Sequence, residues 1–251
     1  MAQAFRSGNP ALSAKTFQGL AVAESAERMS LQGTVNRAAI LLLLAMIPAA
    51  LVWGGFLASG SVGAAGSAAL AGSLLGLLVG IVTVFRKTWA PVTAPIYALL
   101  EGLVLGGLSS ILETSYPGIV LQAVGLTFGV FVALLLAYTS RLIPVTQNFR
   151  LGVVAATGGI AVTYLLTLVL GLFGVRIPFI HEAGLIGIGF SLVVILVAAL
   201  NLVLDFDFIE SGVAMGAPKY MEWYAAFGLI VTLIWLYFEI LHLLAKLRSR
   251  D

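Results

Sequence analysis

The sequence predicts an all-α integral membrane protein with seven transmembrane helices, and three observations support this fold class. Hydrophobic residues make up 61% of the 251 residues and charged residues only 10%, whereas about a quarter of a soluble domain is charged. The mean hydropathy of +1.09 is correspondingly high. The apolar residues gather in long runs, and the alternating segments of about ten residues that a membrane barrel needs do not occur.

These runs divide the chain into seven predicted spans joined by short connections. They cover residues 38–58, 68–85, 93–112, 119–139, 151–173, 184–204 and 224–245. Each run is close to the roughly 20 residues that cross a bilayer as a helix, and a helix satisfies its own backbone hydrogen bonds in lipid. Residues 1–37 form a predicted cytoplasmic tail, 38–246 the transmembrane domain and 247–251 a short basic C-terminal tail.

The spans differ in the residues that interrupt their apolar sequence. The first, second, fourth and fifth contain no charged residue. The second and third contain small residues at four-residue spacing, which predicts close packing between helices; these are Gly72, Gly76, Gly80, Gly102, Gly106 and Ser110. Asp205 closes the sixth span, and Glu239 and His242 lie inside the seventh.

The distribution of Lys and Arg predicts that the tail lies in the cytoplasm. The tail holds four of these residues, and the loops that return to its side hold Arg86, Lys87, Arg141, Arg150 and Lys219. The opposite loops hold Arg176 alone. Lys246, Arg248 and Arg250 conflict with this arrangement, because they would lie outside if all seven segments cross. Either the charge bias is weak here or the seventh segment does not cross completely.

Composition and motifs exclude several functional classes. So few charged residues cannot cover the surface of a soluble enzyme, and a net charge of +2 without a basic stripe argues against nucleic acid as a partner. The absence of cysteine removes disulfides and thiolate chemistry. The chain has no His-Glu-x-x-His zinc motif, no Gly-x-Ser-x-Gly nucleophile turn and no Gly-x-Gly-Asp context of an intramembrane aspartyl protease. We therefore expect neither an enzyme nor a bound cofactor.

Ionisable side chains at membrane depth are the first candidates for function, because each costs about 2.5 to 3.5 kcal/mol to insert. The candidates are Glu101, Asp205, Asp207, Glu239 and His242, together with the polar Asn201. On a helix, Asn201 and Asp205 share a face, whereas Asp207 points roughly 200° away from Asp205. We therefore expect Asp205, and not Asp207, to face the interior of the bundle.

Alternative interpretations remain open for these acids. All of the acids near the end of the sixth span would be inexpensive if they lay at the level of the lipid headgroups. Glu239 shares a polar stripe with His242 and Lys246, so it is either a structural partner of these residues or a proton or cation site. Two carboxylates brought together cannot both ionise cheaply, so such a pair would respond to pH and, when ionised, would suit calcium.

Four stretches of sequence resemble a known family, and together they extend over most of the chain. They are Asn9-Pro10-Ala11-Leu12 with Thr16-Phe17, the segment from Met29 to Arg37, the segment from Asn201 to Ile209, and Leu236-Tyr237-Phe238-Glu239-Ile240. In these residues the chain resembles the Bax inhibitor-1 family, or transmembrane Bax inhibitor motif family, and specifically its bacterial branch. The resemblance implies a seven-helix fold whose last helix is surrounded by the other six. It also implies a pH-sensitive calcium leak channel.

The resemblance also implies which residues control the channel. The acid followed four residues later by Ile matches Asp205, and the acid of the Leu-Tyr-x-acid motif matches Glu239. These two would form the pH-sensing pair in the pore and would bind calcium transiently; Glu101, Asn201, Asp207 and His242 are candidate residues of the pathway. Two departures are the Glu in place of the family's Asp and a longer separation of the two acids. If the seventh helix began at Trp223, Glu239 would lie about 24 Å along it.

The expected partners follow from these interpretations. We expect a multi-pass protein of the bacterial inner membrane, surrounded by lipid and conducting calcium. The main alternative is a non-channel regulator that binds a membrane protease or another membrane protein through its tail and its lateral helix faces. A small-molecule transporter is a third hypothesis.

Overall fold

The computed structural model describes residues 28–174 and 184–249, and within them seven long helices follow one another. They are α1 (Leu31–Ser59), α2 (Val62–Phe85), α3 (Ala90–Ser115), α4 (Ile119–Thr139), α5 (Gln147–Leu172), α6 (Leu185–Ala214) and α7 (Met221–Arg248), with a short 3-10 turn at Lys87–Trp89. All seven helices are long and apolar enough to cross a membrane. The predicted fold class is therefore confirmed. The predicted tail as far as residue 27, Arg176 and Arg250 lie outside the described residues.

Helix ends follow local capping signals that hydropathy does not register. Ser30 caps α1, because its side chain accepts a hydrogen bond from the Gly33 N–H. This helix therefore starts before the predicted boundary at residue 38 and includes the last part of the predicted tail. Thr146 caps α5 in the same way by accepting from the Phe149 N–H. Gly60, with a φ of 63°, provides the left-handed residue that ends α1.

The connection between α6 and α7 is shorter than the sequence predicts. The α6 helix continues to Ala214 instead of ending near residue 204, and α7 begins at Met221 instead of near 224. The hydropathy profile places the end of the sixth span where the acidic residues begin. A helix can include such acids when neighbouring helices supply partners for them, as Arg150 does for Asp207. As a result Asp205 lies well inside α6, about 13 Å from its C-terminal end by the rise of 1.5 Å per residue.

The chain forms two compact units, and one of them comprises residues 28–120 and 208–231. In this unit, α3 packs against α1 and α2 through glycines. A Cβ atom at Gly106 would lie 2.6 Å from the Ala49 carbonyl oxygen of α1, and one at Gly72 would lie 2.6 Å from the Leu100 carbonyl oxygen. The spaced glycines thus bring backbone against backbone, as small residues do in membrane bundles.

The other unit comprises residues 121–207 and 232–249 within the described part of the chain. Its apolar core contains Ile160 of α5 and Val194 and Val197 of α6, with Tyr164, Phe190 and Trp235 packed against them. Aromatic rings of α4 contribute a second contact, because Phe131 and Tyr138 both lie against Phe206. In this unit the helices pack through interlocking side chains, and not through close contacts between glycine backbones.

The α7 helix is enclosed by protein over most of its circumference. Four consecutive residues, Tyr224 to Phe227, are each at most 2% exposed. Four residues at 100° intervals cover nearly the whole circumference of a helix. Leu236, Tyr237, Ile240 and Leu241 are also buried further along. An enclosed last helix is what the resemblance implies.

The last turns of α7 pack against the starts of two other helices. The Lys246 ammonium donates to the Ser191 hydroxyl at 2.9 Å and to the Gly187 carbonyl at 3.1 Å, both near the start of α6. The Arg248 guanidinium donates to the Gln122 side chain at the start of α4. With 28 residues, α7 measures about 42 Å, more than the roughly 30 Å of the hydrocarbon layer. Two of the basic residues that opposed a complete seventh crossing are therefore bonded to other helices.

Substitution of Gly106 tests the glycine contacts. A Gly106→Ala variant should lower the free energy of unfolding by about 1 to 3 kcal/mol, since its methyl group would overlap the Ala49 backbone. Gly125→Ala on α4 is the matched control, because a Cβ there meets nothing within 4 Å. The control should be neutral or stabilising, since Ala favours a helix. The free energy of unfolding of both variants is measured in detergent micelles. If Gly106→Ala were as stable as Gly125→Ala, the close approach of α3 to α1 at Gly106 would be contradicted.

Candidate functional site

One face of α5 carries three polar side chains at intervals of seven residues. They are Arg150, Thr157 and Tyr164. Seven residues make nearly two helical turns, so the three side chains project from the same side of the helix. The spacing places them at three levels over about 21 Å.

Each of these side chains bonds to a polar side chain of another helix in the same unit. Arg150 Nη2 lies 2.8 Å from Asp207 Oδ2, and Asn201 Nδ2 donates to Thr157 Oγ1 at 2.7 Å. The Tyr164 hydroxyl donates to Glu239 Oε1 at 2.7 Å. We call these pairs the polar ladder; its three rungs are Arg150–Asp207, Thr157–Asn201 and Tyr164–Glu239.

Asp205 lies on α6 between the levels of two rungs. Its side chain is completely buried, and Asn201, one turn earlier on the same face, is 1% exposed. The Asp207 side chain is 18% exposed and forms the ion pair with Arg150. Asp205 is therefore buried and Asp207 is partly exposed, as the geometry of the helix predicts.

Glu239 is 7% exposed and lies at the opposite end of the ladder from Asp207. Its Oε1 atom accepts the Tyr164 hydrogen bond and a second one from Trp235 Nε1 at 3.3 Å. Counting residues along α5 and α6 puts the levels of Asp205 and Glu239 about 16 Å apart. In this conformation the Glu239 carboxylate is bonded to Tyr164 and Trp235, and its pairing with Asp205 stays a prediction.

The remaining candidate residues lie elsewhere. His242 is exposed on the surface of α7. Glu101 belongs to the unit of α1, α2 and α3, where it is half-buried and hydrogen-bonded to Tyr97. Its Oε1 atom faces α2 at the position of Gly76, where a Cβ would come within 3.1 Å of it. Glu101 thus occupies the space that a glycine leaves free.

A resident metal site does not emerge from residues 28–174 and 184–249. Within these ranges no group of three or more His, Asp or Glu side chains is arranged to hold a metal ion. The polar ladder instead has an ion pair at one end, a carboxylate bonded to a tyrosine hydroxyl at the other, and neutral side chains at the middle rung. Its carboxylate, hydroxyl and amide oxygens are ligands of the type that hard cations prefer.

The fold and these polar residues can now be compared with known proteins. The sequence model of the family described as Bax inhibitor 1 like matches residues 9–249, nearly the whole chain. The chain belongs to the Bax inhibitor 1 like family. Comparison with curated proteins and with solved structures found no match. The resemblance recognised in the sequence is therefore confirmed at the level of the family, and the chain is a multi-pass membrane protein.

The sequence analysis of this Bax inhibitor 1 like protein missed the α5 side of the ladder. Arg150 was counted only as a loop charge, and Thr157 and Tyr164 were not selected. Their seven-residue spacing was a usable signal, because polar residues repeated on one face of an apolar helix need partners in lipid. What the spacing could not provide was the identity of those partners.

Glu222 is a further buried acid that the sequence analysis assigned to a loop. Its side chain is 0% exposed and lies in the first turn of α7. The Oε1 atom accepts from the Ser30 N–H at 3.0 Å, from the Ser30 hydroxyl at 2.8 Å and from Lys219 Nζ at 2.8 Å. Arg37 Nη2 lies 4.0 Å from Oε2.

Glu222 explains part of the motif around the start of α1. A Cβ atom at Gly33 would overlap the Glu222 carboxyl group, so only glycine leaves room for this acid. The preceding residues are held as well, because the Met29 N–H donates to the Ala217 carbonyl at 2.6 Å. An acid beside exposed N–H groups also complements the dipole of α1. Glu222 therefore anchors the start of α1 to the start of α7.

Removal of the Glu222 carboxylate should destabilise the protein. A Glu222→Ala variant leaves the partly buried Ser30 N–H and hydroxyl without their acceptor, and we expect a loss of about 1 to 3 kcal/mol in the free energy of unfolding. Glu210→Gln is the control, because Glu210 is an exposed acid of the same unit and Gln retains an oxygen that accepts hydrogen bonds; it should change stability by less than about 0.5 kcal/mol. The free energy of unfolding of both variants is measured by titrating a denaturing detergent into the protein in mild detergent micelles. A loss no larger than that of the control would refute the anchoring role.

A double-mutant cycle tests the ion pair of the ladder. Arg150→Gln and Asp207→Asn should show a coupling energy of about 1 kcal/mol, in the range measured for polar contacts between membrane helices. The control cycle combines Arg150→Gln with Arg248→Gln, which bonds to Gln122 instead. That pair should be additive within about 0.5 kcal/mol. Additivity of the first cycle would mean that the contact contributes nothing to stability.

Proposed function

We propose that this protein is a pH-sensitive cation leak channel, with calcium as the permeant ion and with Asp205 and Glu239 as the acids that control it. The observation that carries the proposal is the burial of both acids inside apolar helices of one unit, at 0% and 7% exposure. An ionisable group in a membrane is costly. A fold that retains two of them therefore suggests a use for their charge.

The chemistry of these acids supports a response to pH. A buried carboxylate is stabilised by a proton when it is isolated from cations, and it ionises when water or a cation reaches it. Protonation and cation binding then compete for the same oxygens. Ionised carboxylates are hard ligands that suit calcium. Low pH therefore favours the neutral form of the site, and higher pH favours its cation-binding form.

The positions of the three rungs support a route for the cation through this unit. Its three rungs extend over about 21 Å of a hydrocarbon layer that is roughly 30 Å thick. A cation that moves along them meets Asp207 at one end and Glu239 at the other, with the oxygens of Thr157 and Asn201 between them. Asp205 lies beside the same line of polar groups, one turn from Asn201.

The location that we propose rests on charge distribution. The start of α1 and the loops rich in Lys and Arg lie on the cytoplasmic side of a bacterial inner membrane. The C-terminal end of α7 then lies on the opposite side. Its basic residues Lys246 and Arg248 are bonded to α6 and α4, which separates them from the loop charges that determine orientation.

Flux measurements with neutral variants test the proposal. Purified protein is reconstituted into liposomes loaded with a calcium dye, and flux is followed from pH 6 to 8. Asn and Gln mimic protonated acids, so Asp205→Asn and Glu239→Gln should show at every pH the flux that the parent shows at pH 6. The exposed acid Glu210 provides the control, and Glu210→Gln should retain the full pH dependence of the parent.

The alternative function gives a different set of results. Folded parent protein without calcium flux at any pH would contradict the channel and favour a regulator that binds another membrane protein. Activity of such a regulator should survive Asp205→Asn and Glu239→Gln but fail when the tail is removed. That deletion should cover residues 1–27 only, because Ser30, Gly33 and Arg37 belong to the contact with Glu222.

A further inference from the structure

We propose that the polar face of α5, formed by Arg150, Thr157 and Tyr164, is one wall of the cation path, and that the path opens when α5 separates from α6 and α7. The inference rests on the proposed channel and adds to it the position of the path and the residues on its second wall. The ligand class is a cation that is coordinated by oxygen atoms. Three polar rungs on the least buried helix of this unit carry the argument.

The α5 helix has few apolar contacts that would hold it in place. Of its 26 residues only Arg150, Val153 and Ile160 are buried. In α7, by contrast, buried residues occur on nearly every side. Lipid surrounds apolar side chains as favourably as protein does. The exposed Leu and Val residues of α5 therefore lose little favourable contact energy when the helix moves. Its attachment therefore depends strongly on the ladder.

Separation of α5 from α6 and α7 would expose the polar groups of the ladder. Each rung joins a polar group of α5 to one of α6 or α7, so separation leaves polar groups on both sides of the gap. Three such levels at intervals of about 10 Å allow water and a cation to replace the lost hydrogen bonds. While α5 is in place, each polar group of α5 is bonded to its partner on α6 or α7.

The charges along the gap are suited to a cation. Asp207 and Glu239 lie on the α6 and α7 side, and the guanidinium of Arg150 lies on α5, where it neutralises Asp207 in the closed arrangement. Lys246 is bonded to Ser191 and Gly187, which fixes it at the start of α6. When α5 moves away, Arg150 separates from Asp207, and the carboxylates of Asp207 and Glu239 then face the single positive charge of Arg150 across the gap.

A disulfide between α5 and α6 tests this proposal directly. The chain has no cysteine, so introduced pairs are the sole thiols. Ile160→Cys with Val197→Cys joins two buried neighbours of one apolar cluster without altering a rung, and Ile160→Cys with Val194→Cys is the second pair. After oxidation, verified by loss of thiol labelling, calcium flux should fall at least tenfold and return when a reductant is added.

The matched control locks two helices that the proposal leaves in place. Gly76→Cys and Leu100→Cys join α2 to α3, where a Cβ at Gly76 lies 3.8 Å from the Leu100 Cβ, a separation that suits a disulfide. Calcium flux through this cross-linked control variant should be the same before and after the reductant is added. Undiminished flux through a verified α5–α6 cross-link would overturn the proposal, whereas absence of flux in the parent would instead refute the channel itself.

Water accessibility decides the question if neither α5–α6 pair forms a disulfide. Val194 is 0% exposed and belongs to the cluster with Ile160. A Val194→Cys protein should react with a membrane-impermeant thiol reagent at least tenfold faster at the pH of maximal flux than at the pH of minimal flux. Equal protection at both pH values, in protein that conducts, would overturn the separation of α5.

Discussion

Lipid offers no hydrogen bonds, so a polar side chain within the membrane must find its partner in the protein, either on the backbone of its own helix or on another helix. This constraint determines the position of α5, whose three polar residues each meet a polar side chain of α6 or α7. A polar contact also joins the starts of α1 and α7, where Glu222 accepts from the backbone and the hydroxyl of Ser30. Polar pairs thus specify which helix faces lie together, while the apolar surface only requires that the helices stay in the membrane.

The two units of the chain meet this constraint by different means. In the unit of α1, α2 and α3, glycines such as Gly72 and Gly106 bring backbones to within contact of one another. Such an interface fits only one register, because any added atom collides with main chain. In the unit that contains α5, side chains interlock and polar rungs determine the register. A rung can exchange its partner for water or a cation, whereas a contact between two backbones has no substitute.

Hydropathy predicted the helices well where their ends coincide with the ends of apolar runs. The predicted span 119–139 and helix α4 have the same limits, since Pro117 and Gly118 precede it and polar residues follow. The prediction was wrong at the end of α6 and the start of α1, where a partner or a cap extends the helix beyond its apolar part. The cost of inserting an ionisable group placed Asp205 and Glu239 among the candidates, helical geometry separated Asp205 from Asp207, and both acids are buried. Tyr164 and Arg150 were not predicted, because pairing is a tertiary property that the spacing within one helix does not specify.

The contact between Ser30 and Glu222 joins residues that are 192 positions apart in the chain. A ribosome therefore makes the first turn of α1 long before the acid that completes it exists. Until α7 has been inserted, the Ser30 N–H and hydroxyl must be satisfied by water at the membrane surface. The final helix thus closes a contact with the first, which makes its insertion a checkpoint for the whole chain. A nascent chain that stops before Glu222 would contain six helices and leave the beginning of α1 without its anchor.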